Sequence, residues 1–308
     1  MFQQHLLCFP NLRDKLNQLG SYGGGNHFGE CNIVHVADTD RARTAAEVFG
    51  LRDGHACFLS HCGSRGFGNM LAVRQFKILA DDFERQRIPF PGNDRELVYA
   101  PLGSPLADDY LDDMALGGNF ATVNHLLINA LILEAFQEVI PGIEGHFVYF
   151  ISHNIARLEE HEGQPAWIHR KGATRAFSAG HPALAGTGFE HIGHPILLPG
   201  NPMAGSVVMV ADAGAERSLF SVNHGAGRAM GRKAAIRTRD QKAVNAAFDE
   251  ADILSNARNY PLDEAPAAYK DFNEVLRSVE LAGLASPVAR LQARFVVKDH
   301  DQSLKGAA

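Results

Sequence analysis

The chain has 308 residues, of which 45% are hydrophobic, enough to bury a core of one large domain or two small ones. Its net charge of −6 excludes a basic shell built for non-specific nucleic-acid binding, so any such contact must come from a local patch. Four cysteines (Cys8, Cys31, Cys57 and Cys62) show no framework spacing and read as reduced thiols. No window of 18 uncharged apolar residues is found, so no membrane span is expected, and the first fifteen residues lack the basic start and cleavage site of a signal peptide.

Along the chain, residues 56–60 (ACFLS) form a short β-like run. Met70, Val73, Phe76, Leu79 and Phe83 follow at steps of three and four, which predicts an amphipathic helix over 67–87. A longer helix is predicted over about 108–139, stopped by Pro141-Gly142. Further β-like runs occupy 146–152, 206–211 and 293–297, and the Gly-, Pro- and His-rich stretch 178–203 reads as loop. Helices and strands do not alternate regularly, so the expected class is α+β in a single domain over 1–308, with 299–308 a flexible tail. His61, His153 and Lys298 directly follow or end β-like runs, where a rigid scaffold can present side chains to a shared site.

Four of the 15 histidines have unusual neighbours. His27 lies in GGGNHFGE, whose glycines let backbone N–H groups approach phosphate, and whose Asn26 and Glu30 can hydrogen-bond a nucleotide. His61 lies in SHCGSRG, followed by Arg65, suited to phosphate. His153 lies in SHNIA. His224 lies in NHGAGR, where Gly225, Ala226 and Gly227 leave space around the ring. Arg228 and Arg232 are four apart and would share one face if helical. Singly each motif is weak, since a lone histidine is more often structural. Together they point to metal, phosphate and a reactive imidazole, which is nucleophilic at neutral pH without losing a proton.

These motifs, with HRKGATRAF, PGNPMAGS and DEAPAAYKD, occur in the order and rough spacing of the RtcB family of GTP-dependent RNA ligases, and the chain resembles that family from about residue 19 to 298. The resemblance implies an RtcB-like fold: mixed β-sheets around a metal and nucleotide cleft, with helices outside. It implies His224 as the guanylylated histidine, and His27, His61 and His153 as ligands of two Mn²⁺ ions. It implies Asn26, Phe28, Glu30, Asn154, Pro199, Gly200, Asn201, Ser206, Gly225, Ala226, Gly227, Tyr269 and Lys298 around GMP, with Glu30 reading guanine. Arg65, Arg228 and Arg232 become phosphate or RNA contacts. The implied reaction joins a 3′-phosphate or 2′,3′-cyclic phosphate RNA end to a 5′-hydroxyl end with GTP as cosubstrate. Its setting is tRNA splicing or RNA repair in the cytoplasm, with an archease-type activator as a partner.

The family's upstream Asp-x-Gly-Cys-Gly-Met motif, which completes the metal sites, is not found in this sequence. The expectation is therefore an N-terminally truncated chain: a fragment, a mis-started reading frame or a degenerate homologue. Cys62 is either a substitute ligand or, more simply, a small buried side chain. Two other functions compete: a remnant that binds GTP or RNA without catalysis, and a metal-dependent cyclic-phosphate hydrolase using His27, His61 and His153. Among the remaining residues, His161 reads as a solvated loop residue, and His181, His191 and His194 as surface positions. His125 reads as a core or helix contact. Asp108, Asp109, Asp112 and Asp113 read as an acidic helix start. His169-Arg170-Lys171 with Arg175, beside Arg228, Arg232, Lys233, Arg237 and Arg239, reads either as a solvated face or as an RNA track. Trp167 reads as packing.

Overall fold

A computed structural model describes residues 11–299. Cys8 and the tail beyond 299 lie outside the described residues. In chain order the main elements are α1 (Leu12–Leu16), β1 (Phe28–Val36), α2 (Asp40–Phe49), β2 (Ala56–His61), α3 (Arg65–Gln86), α4 (Pro105–Val139), β3 (Asn154–His161), β4 (Gln164–Lys171) and β5 (Ala173–Arg175). Then come β6 (Pro195–Asn201), β7 (Gly205–Ala211), β8 (Ser221–Asn223), α5 (Arg232–Thr238), α6 (Gln241–Glu250), β9 (Leu254–Ser255), α7 (Phe272–Leu281) and β10 (Ala285–Val297). The class is α+β, as the irregular order of elements predicts. The described residues fall into two compact units: one holds the chain up to Gly23 and Ser60–Glu144, the other Gly24–Leu59 and the chain from Gly145. The boundary falls within β2.

The larger unit is built on a sheet of order β2-β1-β10-β7-β6, with the short β9 pairing parallel to β10 and the β1, β10, β7 and β6 pairings antiparallel. All seven residues of β7 are buried. Their alternation feeds two cores: Val207, Met209 and Ala211 pack with Phe272, Leu276 and Val279 of α7, while Val208 and Val210 pack with Phe49 of α2. Each large apolar side chain so buried contributes about 1.5–3 kcal/mol. The helices are fixed on the sheet by their caps. Thr39 accepts the Ala42 N–H at the start of α2, and Asp271 accepts the Asn273 and Glu274 N–H groups at the start of α7. The expected loop 178–203 is therefore only partly loop, because β6 lies inside it and pairs with β7. Residues 146–152 form no strand, despite their apolar run. Phe147 and Val148 are exposed, and no ladder partner meets them among the described residues.

In the smaller unit, α3 and α4 pack through Phe67, Leu71 and Phe120, with Phe67 and Phe120 stacked at 4.7 Å. Buried Asn124 ties the irregular chain to α4: its Oδ1 accepts the Gly20 N–H at 2.7 Å, and its Nδ2 donates to the Ser21 and Gly63 carbonyls. Helix α4 runs 35 residues from its Ser104 cap and carries no Asp, Glu, Lys or Arg between Ala115 and Leu133. By length and composition it could cross a membrane, with 17% of its apolar window buried, which corrects the expectation that no segment has that character. Core helices of soluble proteins share both properties.

Candidate metal and nucleotide site

Three short structural accidents bring histidines together. The β5–β8 ladder pairs Ala173 with Asn223. Ala173 N–H also donates to the His153 carbonyl at 3.4 Å, and His224 N–H donates to the Gly172 carbonyl at 2.9 Å. One turn of backbone thus presents both imidazoles, whose rings stack at 4.2 Å and 15°. His153 precedes β3 rather than ending a strand, so its placement comes from this ladder and not from the run before it. His61 is the last residue of β2. Neutral imidazole suits a first-row divalent ion.

His224 has a defined tautomer. Its Nδ1 is 2.9 Å from the Leu197 carbonyl on β6, and a carbonyl only accepts, so Nδ1 carries the hydrogen and Nε2 the lone pair. Burial, and then the charge of His153, hold its pKa down to about 3, with the Leu197 carbonyl pulling the other way. The ring is neutral across the physiological range. Gly225 at φ 141° and Gly227 at φ 73° shape the turn after it, which side-chain-bearing residues would strain.

A second cluster gathers around the β1 and β10 ends of the same sheet. Glu30 is buried, and its Oε1 has no hydrogen-bond partner among the described residues. Burial lifts this carboxyl to about 7, against the pull of Asn32, Ser206 and Lys298. Lys298, equally buried, donates to the Gly25 carbonyl at 2.9 Å and the His27 carbonyl at 3.1 Å, and its ammonium lies 5.9 Å above the Phe28 ring. Burial lowers its pKa to about 8, despite the nearby carboxylates. Tyr269 donates its hydroxyl to Glu264, which also accepts from Arg228. An orphan carboxylate oxygen, a lysine and an aromatic ring are groups that can recognise a nucleobase through its polar edge and its face.

The remaining expected residues fall as follows. Asn26 is exposed in the turn before β1, and Asn154 Oδ1 accepts the Gly172 N–H. Pro199, Gly200, Asn201 and Ser206 form the tight β6–β7 hairpin, where Asn201 Oδ1 accepts the Met203 and Ala204 N–H groups. A side chain at Gly200 would meet the Gly205 carbonyl at 2.4 Å. Ala226 is buried. In the smaller unit Arg65 donates to Ser21 Oγ at 3.1 Å and lies against Gly23. Cys62 is buried, and burial raises its thiol to about 12.

Several expectations need correction. Arg228 precedes α5, and only Arg232 is in it, so they share no helix face, although both reach Glu264. His161 is not solvated: it ends β3 and stacks on Phe220 at 5.8 Å. His194 is buried rather than superficial, while His191 is exposed. Arg170 is 4% exposed and pairs bidentately with Glu159, which removes it from any RNA-facing surface. Glu264 is the residue that sequence reasoning missed. Its signal was present as a carboxylate five positions before Tyr269 in a run already singled out as a motif.

The larger unit thus carries a stacked histidine pair and a buried carboxylate–lysine cluster on an α+β framework. The chain matches the family tRNA-splicing ligase RtcB over residues 10–299, and it belongs to that family. It is similar to the tRNA-splicing ligase RtcB of Thermococcus kodakarensis, at 37% identity over 292 residues that cover 91% of this chain and 59% of the relative. Similarity to that of Pyrobaculum aerophilum is 37% over 295 residues, 92% of this chain and 60% of the relative. For that of Methanopyrus kandleri it is 39% over 308 residues, 91% of this chain and 30% of the relative. The chain thus spans three-fifths or less of the length of these relatives.

Proposed function

We propose that this chain is an RNA ligase that joins 3′-phosphate or 2′,3′-cyclic phosphate ends to 5′-hydroxyl ends through a guanylylated histidine. The observation that carries the reading is the His224 tautomer: Nδ1–H is held by the Leu197 carbonyl, and the Nε2 lone pair belongs to a ring that stays neutral. Such a nitrogen attacks the α-phosphate of GTP and expels pyrophosphate, with no proton to remove first. GMP then passes from His224 to the RNA 3′-phosphate. The 5′-hydroxyl attacks that phosphate, forms the phosphodiester and releases GMP.

The guanine lies against Phe28 and Tyr269, with Glu30 and Lys298 on its polar edge. Asn26, Asn154, the Pro199–Ser206 turn with Gly200 and Asn201, and the Gly225-Ala226-Gly227 turn line the remainder. Arg228 and Arg232 face the phosphates. His27, His61 and His153 would hold Mn²⁺, which would neutralise phosphate charge and orient in-line attack. The substrates are cleaved tRNA halves or damaged RNA in the cytoplasm, and an archease-type protein serves as activator. The relatives' name supports the tRNA setting.

One observation favours a second reading, a metal-dependent cyclic-phosphate hydrolase: the His224 ring stacks on that of His153 at 4.2 Å. In that reading His224 is a ligand and no nucleotide adduct forms. Incubation with Mn²⁺ and GTP labelled at the α-phosphate separates the two. The ligase reading expects an acid-labile label on the protein that vanishes in His224→Ala. A wild-type chain that never labels, yet opens a 2′,3′-cyclic phosphate without GTP, establishes the hydrolase instead.

A further inference from the structure

We infer that Glu264 is the positioning residue of the nucleotide pocket, a single buried carboxylate that sets Arg228, Tyr269 and Lys298 in place for the ligand. The inference rests on the guanine-nucleotide reading above. Glu264 ends a short turn, Leu262–Glu264, and is 3% exposed. Its Oε1 accepts from Arg228 Nη1 at 3.2 Å and lies 3.7 Å from Arg232 Nε. Its Oε2 accepts the Tyr269 hydroxyl and lies 3.9 Å from Lys298 Nζ. The four partners come from separate places in the chain: the turn before α5, the start of α5, the segment before α7 and the end of β10.

An acid in this position is costly to bury unless its charge is matched, and here three cations surround it. The contacts are also reciprocal. Arg228 lies 5.2 Å over the Tyr269 ring, the two residues form an isolated antiparallel bridge, and Lys270 N–H donates to the Gly227 carbonyl at 3.0 Å. The backbone already joins the 227–230 turn to the 268–270 segment. The carboxylate is therefore not needed merely to hold the chain there. What it adds is the orientation of three side-chain heads: the guanidinium of Arg228, the phenol of Tyr269 and, by attraction, the ammonium of Lys298. Without it, Arg228 and Lys298 would repel each other and the Tyr269 hydroxyl would lose its acceptor.

The test compares the whole chain with Glu264→Gln, which keeps the shape and removes the charge, and with Glu264→Asp, which keeps the charge and shortens the reach. GMP binding is measured by fluorescence titration with a labelled GMP, and Mn²⁺ binding by electron paramagnetic resonance. Glu264→Gln is expected to weaken GMP roughly 10- to 100-fold, the loss typical of hydrogen bonds to a charged group, with Mn²⁺ affinity as in wild type. Glu264→Asp is expected to weaken GMP less, and it serves as the test if the Gln variant does not fold. Adding Tyr269→Phe to Glu264→Gln should cost less than the two single losses together, because the tyrosine acts through the carboxylate. A variant that shifts thermal stability but binds GMP within twofold of wild type overturns the inference and leaves the functional reading intact. A wild-type chain that binds no GMP overturns both, and the wild-type titration alone reveals it.

Discussion

Five histidines of the larger unit, His153, His224, His161, His181 and His194, divide into two neighbourhoods with opposite chemistry. In the first, His153 and His224 stack on each other at 4.2 Å. In the second, His181 stacks on Phe177 at 4.0 Å, His194 lies 5.2 Å from the same ring, and His161 rests on Phe220. Burial does not separate the two neighbourhoods, since both contain buried or half-buried rings. The hydrogen on the imidazole separates His224 from His181 and His194. His181 Nδ1 accepts the Ala183 N–H and His194 Nδ1 accepts the Phe177 N–H, so the local backbone already uses each ring's lone pair. His224 does the reverse: it gives its Nδ1 hydrogen to a carbonyl and keeps the lone pair on Nε2. Among these three rings, His181 and His194 accept from backbone and His224 donates to it.

The sharpest way to break this comparison is His224→Ala. It is expected to abolish covalent labelling by GTP while the protein keeps its circular dichroism spectrum. Retained labelling would show that the reactive imidazole is elsewhere. Next in size is the buried pair beneath the second neighbourhood. Arg170→Met leaves Glu159, its side chain 8% exposed, without the guanidinium that meets it at 2.6 and 2.8 Å. Losing one partner of a buried pair costs about 3–5 kcal/mol, readable as a lower denaturant midpoint. A change under about 1 kcal/mol would class the pair with surface bridges.

The third prediction uses pH. Burial, and then the charges of Arg175, His181 and Arg170, hold the His194 imidazole down to about 4. The unfolded ring titrates near 6.5, so on acidification the unfolded chain takes up this proton first. Stability from this group is whole above about pH 6.5 and is lost as pH falls towards 4, by at most about 3 kcal/mol. His194→Gln keeps an acceptor for the Phe177 N–H and has no proton to bind. Its stability should be flatter over that window in urea titrations. An unchanged pH slope would remove His194 from the account.

How much of this was legible in the sequence follows from range. The period-three-and-four runs became α3 and α4, and the continuous apolar run 206–211 became the fully buried β7, because these patterns are local. The motifs around His61, His153 and His224 were visible, as was the family they imply. The tautomer of His224 was not, because it depends on Leu197, 27 residues away on another strand. Glu264 escaped for the same reason: it stands in the DEAPAAYKD run, but its partners extend from Arg228 to Lys298. The surface reading of His194 failed because a Gly- and Pro-rich stretch can still be buried when its backbone pairs, as β6 does with β7.

The smallest effect is the most discriminating. His161, which reads in the sequence as a solvated loop residue, is flanked by Glu159, Glu160 and Glu162, and its Nε2 comes within 3.5 Å of Glu159 Oε2. That distance is too long for a strong hydrogen bond, and Arg170 already satisfies the carboxylate from its other side. His161 should therefore contribute mainly its contact with Phe220. His161→Ala is expected to cost about 1 kcal/mol or less in stability and to leave GTP labelling and Mn²⁺ affinity unchanged. A loss of Mn²⁺ binding in this variant would join the two neighbourhoods into one site, and the rule that the hydrogen on the imidazole divides them would fail with it.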